Sequence, residues 1–472
     1  MIVAALVAVF HVLGIVSAVH AVMSTRTSQG AIAWAVSLVT FPYLAVPAYW
    51  VLGRSKFQGY VLARRTSDDQ TGPVEERILG SLAPYRVPAV DRLEATRAAE
   101  GLANMPVLKG NRVELLIDGD ATFDSILSGI DEAEKYVLVQ FFIVHDDGLG
   151  RALKERLITK AKQGLRVLFL YDEIGSHDLP ESYKRELRDA GVDIREFNTR
   201  KGRRNRFQLN FRNHRKIVVT DGRVAWIGGH NVGDEYLGKD PKFGHWRDTH
   251  VRIEGPAVLK AQISFAADWR WATDEVPELD WEPRFSAEGG DALVLIIPTG
   301  PADDLETCNL MFVHAINTAR KRIWIASPYF VPEHSVIVAL QLAGLRGVDV
   351  RILIPDEPDH MLVYLAAYSY FDDAALTGAK FYRYQDGFLH EKAMLIDDEI
   401  ATIGTANFDN RSFRLNFEIT AAISEPAFVS EVERMFEDDF RRARLMEEGE
   451  YEQKPWWFRF GVRVARLTSP IQ

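Results

Sequence analysis

A chain of 472 residues, 47% hydrophobic with a mean hydropathy of −0.11, has room for two or three domains and suits a globular protein with a membrane-embedded part. A formal charge of −10 argues against a general nucleic-acid binder. The single cysteine, Cys308, excludes an intramolecular disulfide, and no Cys/His cluster suggests zinc.

Residues 2–23 (IVAALVAVFHVLGIVSAVHAVM) carry no charge, and neither do residues 31–52 (AIAWAVSLVTFPYLAVPAYWVL). Each is long enough to span a bilayer core of roughly 30 Å. A signal peptide is the rival reading for the first, but it lacks a basic start and a second apolar stretch follows at once. The expectation is a two-helix transmembrane hairpin over 1–52, with Pro42 and Pro47 bending the second helix. Arg54, Lys56, Arg64 and Arg65 follow the hairpin, against Arg26 alone between the spans. The positive-inside rule then places the remainder in the cytoplasm.

Residues 53–108 read as a polar linker with one or two short helices. A periodic α/β pattern begins at 109. Strands are expected at 113–117, 136–144 and 166–171, and helices at 123–133 and 149–162. The Pro- and Glu-rich stretch 274–288 separates a second run: strand 292–297, helix 305–319, strand 322–327, helix 335–345, strand 349–354. A last helix over 427–446 carries Phe428, Val432, Met435, Phe436 and Phe440 at core spacing. The expected fold is α/β: two duplicated domains, 109–280 and 289–450, with mixed sheets flanked by helices. Residues 454–472 form an amphipathic tail, with Arg459, Arg463 and Arg466 on one face and Trp457, Phe460, Val464 and Leu467 on another.

The duplication centres on residues 213–231, NHRKIVVTDGRVAWIGGHN, a hairpin pattern containing His214, Lys216 and Asp221. Residues 390–407, HEKAMLIDDEIATIGTAN, repeat the spacing with His390, Lys392 and Asp397, 176 residues later. Asn231 and Asn407 follow at equal distance. Residues two apart on a strand share a face, so each His and Lys point together. Each Asp lies five residues beyond its Lys, roughly 16 Å along an extended strand and on the opposite face. Asp221 and Asp397 are therefore motif members that fix the hairpin turn.

Two histidines and two lysines suit phosphodiester exchange. One neutral imidazole attacks phosphorus while a protonated one serves the leaving alkoxide, so two are needed. The ammonium groups and the two Asn amides hold the phosphate oxygens as charge develops. No metal or cofactor is required. Each His still needs an orienting carboxylate. Asp248 in HWRDTHVRIEGP and Glu418 in RLNFEIT are the candidates.

The paired His-x-Lys-x-x-x-x-Asp motifs resemble those of the phospholipase D superfamily, over roughly residues 110–445. With the apolar N-terminus and the segments FRNHRKIVVTDGRVAWIGGHNVGDEY, SPYFVPEHSV and NRSFRLNFEIT, the chain is similar nearly end to end to its bacterial cardiolipin synthase family. The resemblance implies a phosphohistidine intermediate, with His214 as nucleophile and His390 as general acid and later base. It implies acidic residues at 248 and 418 against the catalytic histidines. It implies phosphatidyl transfer between two phosphatidylglycerol molecules, giving cardiolipin and glycerol at the bacterial inner membrane. The residues alone do not order the two histidines. A membrane-bound phospholipase D and a nuclease remain alternatives. The basic run RKGRRNRF (200–207), continued by Arg212 and Arg215, is a candidate surface for anionic headgroups. Partners expected are phosphatidylglycerol, anionic lipids and the membrane, and no nucleic acid.

Overall fold

The structure, a computed structural model, describes every residue except 26, 54–56, 58–59, 61–77, 89–95, 199–209, 287–289, 448 and 470–472. The charges flanking the apolar stretches (Arg26, Arg54, Lys56, Arg64, Arg65) and the basic run 200–207 lie outside the described residues.

The first apolar stretch is one helix, Ile2–Ser24, of 23 residues. The second is two helices, Ser28–Thr40 of 13 residues and Pro42–Leu52 of 11, not the single span expected. Phe41 leaves the helical region at φ −133°, ψ 55°. Pro42 follows it, with no N–H to continue the ladder and a ring that disfavours a helical residue before it. At 1.5 Å per residue neither piece alone reaches across a core of roughly 30 Å. Among the described residues, one helix is long and apolar enough to cross a membrane. It packs against both short helices through Ala18, Ala21, Leu38, Ala45, Val46 and Tyr49. Its outer face stays apolar and exposed, including Leu6, Val9, Val12, Val16 and Val19.

Among the described residues, sixteen of the twenty strands form one mixed sheet, and the other four form two short pairs. From one edge, the first half runs Asp193–Phe197, Arg166–Asp172, Tyr136–Phe141, Ile217–Thr220, Val224–Gly228, Thr249–Glu254, Leu108–Ile117. The second half continues from Ala292–Thr299 through Asn416–Ser424, Ile400–Gly404, Ala393–Ile396, Arg322–Ala326, Asp349–Pro355 and Lys380–Tyr384. Strand by strand this is the first half's order reversed. Leu108–Ile117 and Ala292–Thr299 pair antiparallel at the junction, so the halves are related by a pseudo-twofold axis there. Of these strands, three in each half are mutually parallel and their other neighbours pair antiparallel. The parallel strands are buried on both faces, which is why Tyr136–Phe141 and Arg166–Asp172 read as near-continuous apolar runs. Helix Pro426–Arg441 buries Phe428, Val432, Met435, Phe436 and Phe440. It is shorter than the expected 427–446: residues Ala443–Leu445 leave it to pair with Lys380–Tyr384 at the sheet edge.

Each motif aspartate sits in the turn of its hairpin in the left-handed region, Asp221 at φ 56° and Asp397 at φ 52°. Asp221 accepts hydrogen bonds from the backbone N–H groups of Glu134, Lys135 and Tyr136, at 2.8–2.9 Å. Asp397 does the same for Arg320, Lys321 and Arg322. Each carboxylate thus ties its hairpin turn to the first residues of the strand beside it. Asp221→Asn keeps the side-chain volume and tolerates positive φ, but turns one acceptor into a donor facing N–H groups. It should lower unfolding stability by about 1–3 kcal/mol, measured by chemical unfolding of detergent-solubilised protein, with turnover of the folded fraction retained. A loss of turnover beyond roughly 100-fold at unchanged stability would show that Asp221 serves the chemistry.

Candidate active site

The two motifs meet across the pseudo-twofold axis. Two short parallel pairings bring them there: Arg212–Asn213 with the start of Asn416–Ser424, and Phe388–Leu389 with Trp246–Arg247. The His214 N–H donates to Phe417 O at 2.9 Å, and the His390 N–H donates to Arg247 O at 2.8 Å. Each bond places a histidine one residue from an acidic side chain of the opposite half. His214 Nδ1 lies 2.9 Å from Glu418 Oε2, and His390 Nδ1 lies 2.6 Å from Asp248 Oδ2. An ionised carboxylate only accepts, so each Nδ1 carries the proton and each Nε2 keeps its lone pair. Asp248 and Glu418 are equivalent positions, each two residues before the partner of the hairpin's glycine: Gly228 pairs with His250, and Gly404 with Thr420.

The two carboxylates are seated differently. A Cβ on Gly229 would fall 2.1 Å from Asp248 Oδ1, so only glycine leaves room for that carboxylate. The corresponding residue of the second half is Thr405, whose hydroxyl donates to Glu418 Oε2 at 2.6 Å. Ser412 and Asn416 donate to Glu418 Oε1. Burial raises the Glu418 carboxyl, but His214, Lys216 and the Thr405 hydroxyl outweigh it and hold the group below its ordinary value.

Lys216 and Lys392 are buried beside the histidines. The Lys216 Nζ donates to His214 O at 2.8 Å, and Lys392 Nζ donates to His390 O. Lys392 Nζ also lies 3.9 Å from Asp248 Oδ2. Burial pushes Lys216 well below its ordinary value, and brings Lys392 down to about 8 against the pull of Asp248 and Glu418. Burial likewise pushes His214 down to about 4, with Glu418 opposing and the lysines adding to the fall. Burial, Lys392, Lys216 and His214 together push His390 well below its usual range. Burial and mutual repulsion therefore favour neutral imidazoles and loosen the hold of both lysines on their protons, and an anionic phosphodiester opposes both effects.

Of the remaining sequence candidates, Asn231 has both amide atoms engaged: Oδ1 accepts from Ile143 N at 3.1 Å, and Nδ2 donates to Tyr236 OH at 3.2 Å. Asn407 is buried, and its Oδ1 has no partner among the described residues. Asp221 and Asp397 are at the far ends of the hairpins, on backbone. Arg215 is no part of a headgroup-attracting surface, as the sequence reading had it. It is 6% exposed and paired through Nη1 with Asp268, and its Nε donates to Glu418 O. Arg215 lies between His214 and Lys216, so strand alternation turns it away from the cleft. Arg247, which the motifs do not single out, forks onto Asp439 with two bonds of 2.8 Å across the halves. The available signal was a lone charge inside an apolar helix face, Asp268 in AADWRW and Asp439 in MFEDDF.

Comparison with known proteins places the chain in a family. Residues 126–269 and 312–440 match the family described as "Cardiolipin synthase, PLD-like domain", and residues 3–54 match "Phospholipase_D-nuclease N-terminal". The chain is 50% identical over 471 residues to a protein named cardiolipin synthase A from Pseudomonas fluorescens, covering 99% of this chain and 98% of that one. It is 50% identical to the cardiolipin synthase A of Pseudomonas syringae pv. syringae, covering 98% and 96%. A crystal structure of phosphatidylserine synthase from Haemophilus influenzae shares the fold, with a TM-score of 0.61 at 17% identity over 80% of this chain and 100% of that one. The chain belongs to the cardiolipin synthase family of phospholipase D-like proteins.

Proposed function

We propose that the protein is a cardiolipin synthase, which moves a phosphatidyl group from one phosphatidylglycerol to another and releases glycerol. The observation that carries the reading is the reciprocal pairing of His214 with Glu418 and His390 with Asp248 around two buried lysines. His214 Nε2 attacks phosphorus, and the P–O bond to glycerol breaks. His390, protonated once the phosphate's charge raises its basicity, gives that proton to the departing alkoxide. Glu418 holds the His214 ring and stabilises it as it becomes cationic. The lysine ammonium groups and the Asn407 amide hold the phosphate oxygens. His390, now neutral, takes the proton of the incoming lipid hydroxyl. That oxygen displaces His214 Nε2 from phosphorus, giving cardiolipin.

The apolar outer face of helix Ile2–Ser24 supports a membrane position, with the charge balance of the sequence favouring a multi-pass hairpin and a cytoplasmic catalytic part at the inner membrane. Repeats over 109–280 and 289–450 act as the two domains. The tail helix, Trp456–Arg466, docks Val462 and Ala465 on the protein and leaves Trp456, Trp457, Phe460 and Val464 exposed. That exposed face suits a bilayer interface.

His214→Ala and His390→Ala should each reduce turnover by at least roughly 10²–10⁴-fold, assayed with labelled phosphatidylglycerol and lipid product analysis. Near-wild-type cardiolipin synthesis by either variant would end the two-histidine mechanism. The pH profile follows from Lys392. With a value of about 8, its ammonium is present below that pH and lost above it. The kcat/KM should therefore fall as pH rises through about 8. His214, at about 4, stays a neutral nucleophile across the acid side down to that pH. A profile flat to high pH would contradict the phosphate-holding role of Lys392.

A further inference from the structure

On the Lys392 side of the cleft, where Ala326 pairs with Ala393, a narrow pocket of about 30 Å³ is walled by Tyr329, Pro358, Asp359, Tyr364, Phe371 and Arg383. Arg383 is 1% exposed, yet its Nε and Nη2 have no hydrogen-bond partner among the described residues. Asp356 stands 3.9 Å from Nη1 and also takes Arg444, at 3.2 Å. The rings of Tyr364, Tyr368 and Phe371 lie 5.6, 4.8 and 5.4 Å from the guanidinium carbon, which offsets part of the cost of burying the charge. Two buried donors without acceptors still call for one. Across the pocket, the Tyr329 hydroxyl donates to Asp359, whose charge acts on Lys392.

In-line chemistry gives this side a role. Glycerol leaves opposite His214 Nε2, and by microscopic reversibility the incoming hydroxyl arrives along the same line, served by His390. The departing glycerol carries no phosphate once the bond is broken, whereas the incoming alcohol carries one. An anion-binding group set back from His390 would tell a lipid acceptor from free glycerol or water.

We propose that this pocket anchors the acceptor, with Arg383 taking a phosphodiester oxygen of the second phosphatidylglycerol while Asp359 and Tyr329 receive the glycerol hydroxyl that does not react. The inference rests on the cardiolipin synthase reading. The acceptor's terminal oxygen forms the new bond to phosphorus, its proton passes to His390, and the bond from phosphorus to His214 Nε2 breaks with its electron pair returning to the imidazole. A lipid is favoured over free phosphate by the surroundings. Helix Met361–Ala375 lines the pocket with Val363, Tyr364, Ala367 and Phe371. It also packs against the tail helix, whose Trp456, Trp457 and Phe460 are exposed, and its own Met361 and Leu362 are exposed.

The test uses full-length protein with phosphatidylglycerol vesicles and labelled glycerol. Two products are followed together: cardiolipin, and phosphatidylglycerol that has exchanged its glycerol. Arg383→Gln should lower the ratio of cardiolipin to exchange by roughly tenfold or more, with more phosphatidic acid from water. Tyr329→Phe leaves the stacking of Arg383 in place and should shift the ratio the same way, which keeps the test open if Arg383→Gln misfolds. An unchanged ratio in a folded Arg383→Gln, or in Tyr329→Phe when the first variant misfolds, overturns the proposal. Millimolar inorganic phosphate that lowers wild-type cardiolipin synthesis as strongly as Arg383→Gln would assign the pocket to free phosphate instead and overturn the lipid assignment. Failure of the underlying reading is visible separately, as a wild type that makes phosphatidic acid and no cardiolipin.

Discussion

The active cleft depends on one exchange: each half of the molecule orients the other half's histidine. Glu418 of the second half bonds His214 of the first, and Asp248 of the first bonds His390 of the second. Neither half alone holds a histidine in a defined tautomer. The edge pairing of Leu108–Ile117 with Ala292–Thr299 and the two short parallel pairings that carry Asn213 and Leu389 therefore exist for the chemistry as much as for stability.

The exchange is costly to build, which explains the charges packed behind it. Lys216, Lys392, Glu418 and Asp248 are all buried, and a buried charge is tolerated only when paired and hydrogen-bonded. Arg215 with Asp268, and Arg247 with Asp439, brace the strands carrying those carboxylates, on the side away from the cleft. The result is a site whose lysines are short of counter-charge and whose imidazoles are held neutral until a phosphate arrives. In the proposed reaction, substrate charge then raises the basicity of His390, which takes up from solvent the proton that the leaving group needs.

Much of this could be read from the residues. Period-two alternation put His214 with Lys216 and turned Asp221 away, and the 176-residue repeat gave the duplication. Four features could not be read. The crossing of carboxylates is a long-range contact, 204 residues apart for His214 and Glu418, and no local period encodes it. Arg215 looked like a member of a basic run because composition does not reveal that alternate strand residues are buried. The second apolar stretch reads as one bent span because a proline signals a bend and a break alike, and here Phe41 leaves the helical region before Pro42. The fusion of both halves into one sheet also lay beyond local pattern, since it depends on which edges are left uncovered.

Rapid-quench measurement of the first step tests the crossed pairing most directly, comparing phosphatidylglycerol with a lipid phosphodiester that carries a good aryl leaving group. If Glu418 serves His214, Glu418→Gln should slow formation of the His214 adduct with both substrates. If Asp248 serves His390, Asp248→Asn should slow it with phosphatidylglycerol and recover with the aryl leaving group, which needs no proton. The opposite assignment of rescue, with Glu418→Gln recovering and Asp248→Asn not, would contradict the exchange on which the account rests.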